Sequence, residues 1–553
     1  MPNIAVHLAQ MAKLQPTRPA VICARGRDAQ GAVAYEQLSF RELEQASNRL
    51  ACALDHAGIR RGVRTALMVP PGLDFFTLTF ALFKAGAVPV LIDPGIGIRS
   101  LKSCLGHAEP EAFIGIPKAH AARAVLGWAR GSIRINVTVG EKWSNLFWGG
   151  CTLPELRDQV PMDQVFTAVE PVPGETAAIL FTSGSTGAPK GAVYTHEMFG
   201  AQVSHIRSLY GIEAGEMDLA TFPLFALFGP ALGMTAVVPE MDASRPARAN
   251  PANIIGAIEK FGITNMFGSP ALIDRVGRYG ESLGTRLPSL RRAISAGAPV
   301  PHRVLARFAK MLAPGVQVFT PYGATECLPV ASIGSEELLG EARHRTDQGA
   351  GVCVGRPVPG LIAKVIRITD EPIACWDEAL ELAVGEIGEI AVKAAHASQA
   401  YFNLPTASVL AKIQDPSDGG FYHRMGDVGY FDDSGRLWFC GRKAHRVVTP
   451  QGTRFTIPCE GVFNGTPGVL RTALVGVKRN GVTEPVLCVE LEADAGSGSK
   501  NAILAELRER GSRNALTREI KAFLFHPAFP VDVRHNAKIF RDKLAVWADR
   551  QLR

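Results

Sequence analysis

Leu180-Phe181-Thr182-Ser183-Gly184-Ser185-Thr186-Gly187-Ala188-Pro189-Lys190-Gly191 is the stretch on which the reading of the fold turns. It continues an apolar run, Thr176-Ala177-Ala178-Ile179-Leu180-Phe181, that has the length of a short buried strand. After Phe181 come four hydroxyl residues interleaved with glycines, then Lys190. Glycines permit a tight turn and bring backbone N–H groups close to a ligand. The hydroxyls add donors and the lysine adds a mobile positive charge, so the loop is a cradle for an anion such as a triphosphate. It is not the G-x-x-x-x-G-K-[ST] loop, because two residues separate Gly187 from Lys190 and Gly191 follows the lysine. A flexible Ser/Gly linker fits poorly, since a second apolar run, Gly191-Ala192-Val193-Tyr194, comes at once after it.

Towards the N-terminus, strand and helix patterns alternate. Pro19 to Cys23 reads as a strand, and Ser39 with Glu42 three residues on reads as a capping box. The helix it opens carries Leu43, Ala46, Leu50 and Leu54 on one face. A strand (64–69), a helix (74–85) and strands at 88–92, 112–116 and 133–139 come next, and 141–175 reads as irregular. Alternation of this kind predicts an α/β fold with mostly parallel sheets flanked by helices. On the C-terminal side the pattern predicts a helix from about Thr195, a helix–strand–helix over 250–280, and a strand from Val316 to Thr320. Beyond 350, strands at short spacing suggest a small β-rich subdomain. Composition shifts near 440, and the tail reads as a small α+β unit. Its hairpin, Thr472–Val477 with Val486–Leu491, turns at Asn480-Gly481, and a Gly/Ser linker covers 495–499.

A chain of 553 residues is too long for one core, so two domains are expected: 1–440 and 441–553. Hydrophobic content of 47% with 20% charged residues is that of an ordinary globular protein. The net charge of +7 is not concentrated in a Lys/Arg block, which argues against nucleic-acid binding. Ten cysteines without a C-x-x-C pair read as reduced thiols in a cytoplasmic protein. The N-terminus lacks the pattern of a secretion signal. The longest apolar run, Phe75 to Phe83, ends at Lys84 and is far too short for a membrane span.

Five further segments, taken with the phosphate-type loop, carry a resemblance. They are Ser295-Ala296-Gly297-Ala298-Pro299, Tyr322-Gly323-Ala324-Thr325-Glu326, Met425-Gly426-Asp427, Gly441-Arg442 and Asn536-Ala537-Lys538-Ile539. In this order they resemble the motifs of the adenylate-forming enzymes: acyl-CoA synthetases, luciferases and adenylation domains. The resemblance covers nearly the whole chain and implies ATP and Mg²⁺ as cofactors. It implies that Thr182, Ser183, Gly184, Ser185, Thr186, Gly187 and Lys190 meet the ATP phosphates. Ala296, Gly297 and Ala298 would lie beside adenine, Tyr322 would stack on it, and Gly323 would shape the same wall. Thr325 would hold the α-phosphate, Glu326 the magnesium and Asp427 the ribose hydroxyls. Arg442 would sit at the domain hinge, and Lys538 would be the catalytic lysine, with Lys543 as the neighbouring alternative. In such chemistry a carboxylate attacks the α-phosphorus of ATP. Two anions must meet, so the site has to supply positive charge and donors where charge accumulates. Cys327, beside Glu326, reads as a buried structural thiol, and His196 and His205 as structural histidines.

Three departures bear on the fate of the adenylate. Ala226 stands where many acyl-CoA synthetases have His after a similar apolar run; Met425 replaces the usual Thr; and Lys443-Ala444-His445 lacks the acid usual after Gly-Arg. They leave the ATP-binding half intact and argue against a second step with coenzyme A, hence against the alternative of a fatty acyl-CoA synthetase or acyl-AMP ligase. Longer strings are similar to one branch, the β-lactone synthetases of bacterial long-chain olefin biosynthesis. They are Thr320 to Val330, His423 to Phe431, Leu437 to Arg442 and His526 to Asp532. That resemblance implies conversion of a 2-alkyl-3-hydroxy fatty acid to a β-lactone with release of AMP and pyrophosphate, and other enzymes of the olefin pathway as candidate partners. Apolar segments at 222–235 and 266–272 are the expected walls of an acyl tunnel.

Overall fold

A computed structural model describes residues 2–141, 144–181, 189–222, 227–492, 500–532 and 538–553. The phosphate-loop residues Thr182 to Gly187, Ala226 and the Gly/Ser stretch 495–499 therefore lie outside the described residues.

Two large sheets carry most of the chain. One has seven strands, of which Cys151–Thr152, Ile135–Thr138, Ala112–Gly115, Arg64–Met68, Val88–Leu91 and Thr176–Phe181 run parallel. Gly191–Thr195 then pairs antiparallel with Thr176–Phe181, so the phosphate loop joins two adjacent strands. The other sheet has fourteen strands. Its parallel part runs through Pro19–Arg27, Thr235–Val238, Met217–Ala220, Asn265–Phe267, Arg292–Ile294 and Val318–Ala324. The predicted alternation produces these strands, and the capping box of Ser39 and Glu42 opens the helix Phe40–His56.

Three expectations change. The strand placed at Val316 to Thr320 runs instead as Val318–Ala324, straight through Pro321 and Tyr322, because Cys327–Gly334 folds back on it as a hairpin. The β-rich region beyond 350 is continuous with the main sheet, since Val352–Pro357 pairs both with Cys327–Gly334 and with Leu437–Arg442. The irregular region holds a helix, Leu153–Asp158, opened by a capping box of Thr152 and Glu155.

The main core lies between the two sheets around the helix Leu73–Lys84, every residue of which from Phe75 on is buried. Lys84 itself is 2% exposed, with Nζ bonded to Ser47 Oγ at 2.8 Å and Asn48 Oδ1 at 2.6 Å and paired with Glu44 at 2.8 Å. A buried charge is tolerated only when it is bonded in this way. Among the described residues no helix is long and apolar enough to cross a membrane. In the tail, Val469–Arg479 and Val482–Leu491 form the expected hairpin, with Asn480 and Gly481 both at positive φ (50° and 78°) as a type I′ turn requires. Ala522–Phe525 adds a parallel third strand, and Arg541 at the start of the C-terminal helix pairs with Glu460 of the helix Thr456–Asn464 and donates to the Leu474 carbonyl of the sheet at 3.2 Å.

Candidate functional site

The parallel strands end on one side at a cavity of about 1420 Å³. In open parallel sheets ligands bind outside the carboxyl ends of the strands, and this cavity lies there. It is lined by Lys190, Ala296, Gly297, Gly323, Thr325, Glu326, Arg442 and Lys538, which come from widely separated parts of the chain.

Thr325 and Glu326 form the two-residue turn between Val318–Ala324 and Cys327–Gly334, with Ala324 and Cys327 paired across it. The backbone at this tip is fixed from the neighbouring sheet, where Tyr194 donates its hydroxyl to the Thr325 carbonyl at 2.5 Å. Glu326 accepts the Tyr401 hydroxyl on Oε1 at 2.7 Å, while Oε2 has no hydrogen-bond partner among the described residues. Burial and the facing Glu326 carboxylate raise the Tyr401 phenol well above its ordinary range, so it remains a donor. Lys190 Nζ sits 4.9 Å from the centre of the Tyr401 ring, a cation–π distance. Tyr401 carried no signal in the sequence. It reaches Glu326 because the 400–402 segment pairs with the strand after the phosphate loop.

Asp427 and Arg442 face each other across the antiparallel strands Phe421–Phe431 and Leu437–Arg442. The Arg442 guanidinium lies 3.0 Å from Asp427 Oδ1, and Tyr322 donates its hydroxyl to Oδ2 at 2.7 Å. Asp427 is buried, which raises its carboxyl above the ordinary value, and Arg442 and Tyr322 oppose the rise. The glycine before Arg442 is forced: φ is 120° there and a Cβ would collide with Thr456 Oγ1. Tyr322, Asp427 and Ala298 are not in the cavity lining; Tyr322 and Asp427 form the layer behind it, bonded to each other.

Lys538 reaches the cavity from the C-terminal segment, and its charge acts on Asp427. Its backbone is anchored by reciprocal bonds with Asp532, N–H to Oδ1 and carbonyl to N–H, each 3.0 Å. Lys543 does not line the cavity; it is exposed, with Nζ over the Phe540 ring at 4.6 Å. Cys327 is fully buried and its thiol is pushed up to about 12, the state of an unreactive thiol. His196 accepts the Ile4 N–H on Nδ1 at 3.2 Å, and burial lowers its basicity. His205 packs its ring 4.6 Å from that of His396. Lys443, where an acid is usual, is paired with the buried Glu389 at 3.2 Å.

The donor set suits ATP and magnesium. The cations Lys190, Arg442 and Lys538 line the cavity together with Glu326, a carboxylate with a spare oxygen. Among the described residues no cluster of three or more potential metal ligands occurs. One carboxylate is what Mg²⁺ uses when substrate phosphates and water complete its shell. Much of the remaining lining is apolar, and both predicted tunnel segments contribute: Phe222, Leu227, Phe228, Leu232 and Met234 from one, Phe267 from the other.

The AMP-binding enzyme family matches residues 8–402. An olefin beta-lactone synthetase of Stenotrophomonas maltophilia is 50% identical over 557 aligned residues, covering 100% of this chain and 98% of the relative. An olefin beta-lactone synthetase of Xanthomonas campestris pv. campestris is 48% identical, covering 99% of this chain and 98% of the relative. The fold is shared with the crystal structure of ATP-bound MatB from Rhodopseudomonas palustris, at a TM-score of 0.78 and 19% identity over 100% of both chains. Matched along its whole length at about half identity, the chain belongs to the AMP-binding, adenylate-forming enzymes.

Proposed function

We propose that this adenylate-forming ligase is a β-lactone synthetase that converts a 2-alkyl-3-hydroxy fatty acid, with ATP, to a β-lactone, AMP and pyrophosphate. The observation that carries the reading is the continuity of one cavity from Lys190, Thr325, Glu326 and Lys538 into an apolar depth, together with the names of the two full-length relatives. Residues 1–440 form the domain that binds ATP and acid, and 441–553 the domain that carries Lys538.

In the first step a carboxylate oxygen bonds to the α-phosphorus and the bond to pyrophosphate breaks. Lys538 and Arg442 supply positive charge, Thr325 holds the α-phosphate, and the loop Thr182 to Gly187 with Lys190 steadies the leaving group. Glu326 would hold magnesium together with the phosphates, and the ion would supply positive charge where negative charge accumulates. Tyr401 keeps Glu326 in place through Oε1 and leaves Oε2 for the metal. Ala296, Gly297 and Ala298 with Gly323 and Tyr322 form the adenine side, and Asp427, fixed by Arg442, serves the ribose.

In the second step the 3-hydroxyl oxygen attacks the activated carbonyl, AMP leaves with one carboxyl oxygen, and the hydroxyl proton is released. The nucleophile is tethered, and well-oriented tethering reaches effective concentrations of about 10⁵ M and above, an advantage that ring strain reduces. No thiol is required. We place the protein in the cytoplasm, in keeping with ten cysteines none of which is in a disulfide, with other olefin-pathway enzymes as partners. Mass spectrometry of the product from a 2-alkyl-3-hydroxy acid, ATP and Mg²⁺ tests the reading: a lactone supports it, and an acyl-adenylate or, with coenzyme A, a thioester as end product overturns it.

A further inference from the structure

The largely apolar lining of the cavity includes a buried polar pair. Asp218, on the strand Met217–Ala220, lines it and is 5% exposed. Its neighbour in register on the next strand is Asn265, 4% exposed, which also lines it. Asn265 Nδ2 donates to Asp218 Oδ1 at 2.5 Å. That bond leaves Asn265 Oδ1 buried with no hydrogen-bond partner among the described residues. Asp218 Oδ2 likewise has none among the described residues, and it faces Gly229, where an added Cβ would lie 3.8 Å away. The nearby Arg292 gives Asp218 no hydrogen bond among the described residues, because its guanidinium is bonded to Glu216 at 2.7 and 3.1 Å. Burial pushes the Asp218 carboxyl up to about 7. Tyr210, Ile212, Leu232 and Met234 line the same cavity.

Leaving buried polar atoms unpaired costs free energy unless something meets them, and water does so where it has room. An alkyl chain cannot. A methyl end pushed against Asp218 and Asn265 would displace water and gain no hydrogen bond. The sheet register sets the two polar side chains side by side. Asp218 lies two residues before the end of the strand Met217–Ala220, roughly 7 Å at a strand rise of about 3.3 Å per residue.

We propose that Asp218 and Asn265 form a polar floor to the acyl cavity and set the upper length of the substrate arm that enters it. The inference rests on the β-lactone reading for the identity of that substrate. Apolar lining above the pair accepts methylenes, and the pair rejects the chain end that would reach it.

The test compares kcat/KM over a series of 2-alkyl-3-hydroxy acids in which one arm at a time is lengthened. The readout is the ratio for long against short arms, in the wild type, Asp218→Ala, Asp218→Leu and Asp218→Asn. Asp218→Ala is expected to move the cut-off of one arm up by two or three carbons and raise the long-to-short ratio at least tenfold. Asp218→Leu fills the same space without polarity and is expected to raise the ratio in the same direction, so it carries the test if the alanine variant does not fold. Asp218→Asn keeps a polar floor and is expected to keep the wild-type cut-off. An unchanged cut-off in folded Ala and Leu variants, or an Asn variant that shifts as far as Ala, overturns the proposal. Failure of the wild type to make lactone from any arm length refutes the function reading instead, and the same series read as pyrophosphate release still decides the floor.

Discussion

Removing Arg442 tests how the inner layer of the site is built. Arg442→Ala leaves Asp427, whose side chain is 5% exposed, without the guanidinium 3.0 Å from Oδ1. Breaking a buried ion pair from one side typically costs roughly 3–5 kcal/mol. The Arg442 side chain is 33% exposed, so water enters the gap, and Tyr322 still donates to Oδ2; both put the expected loss at the low end, about 3 kcal/mol. Against a domain stability of about 5–15 kcal/mol that is a large fraction. The loss also has a pH signature. Burial raises the Asp427 carboxyl above its unfolded value, so in the window between the two values the folded protein holds a proton the unfolded chain has lost. Stability then falls as pH rises through that window. Without Arg442 the folded value rises further and the window extends upward. Urea unfolding of wild type and Arg442→Ala at pH 8 and pH 5.5 reads this directly. The expected result is a deficit of about 3 kcal/mol at pH 8 that shrinks towards acid as Asp427 takes up a proton. A variant as stable as wild type at pH 8, or a deficit that grows on acidification, refutes the reasoning.

Lys538→Ala should lower adenylate formation, measured as pyrophosphate release, by roughly 10²–10³ while ATP still binds; near-normal turnover would remove Lys538 from the mechanism. Tyr401→Phe takes away the bond that holds Glu326 Oε1, so the Mg²⁺ concentration for half-maximal rate should rise while the rate at saturating Mg²⁺ changes little. An unaltered Mg²⁺ titration would mean that Glu326 keeps its position without Tyr401. Coenzyme A added to a reaction on a 3-hydroxy acid should leave lactone yield unchanged, and a thioester in its place would favour an acyl-CoA synthetase.

Much of the arrangement was legible because it depends on local sequence. The Ser39 cap, the Asn480-Gly481 turn and the alternation of strand and helix are set by neighbours a few residues apart. The Thr152 capping box was equally local, but the Pro, Gly and Trp residues around it concealed the short helix. What sheet order decides was not legible. Tyr401 meets Glu326 across 75 residues of sequence, and only the pairing of 400–402 with the strand after the loop brings them together. Pro321 and Tyr322 read as lying just beyond a strand that ends at Thr320, yet the hairpin partner Cys327–Gly334 extends the strand past them. Asp218 gives no signal in the sequence, and becomes a buried floor only because Asn265 is its register neighbour.

The order of events at the carboxyl group is the central claim, and isotope at the 3-hydroxyl tests it most directly. With ¹⁸O placed there, adenylation of the carboxylate and then attack of the hydroxyl predict labelled lactone and unlabelled AMP. Label in AMP would mean that the hydroxyl oxygen, not the carboxylate, was the group activated, and would contradict the account.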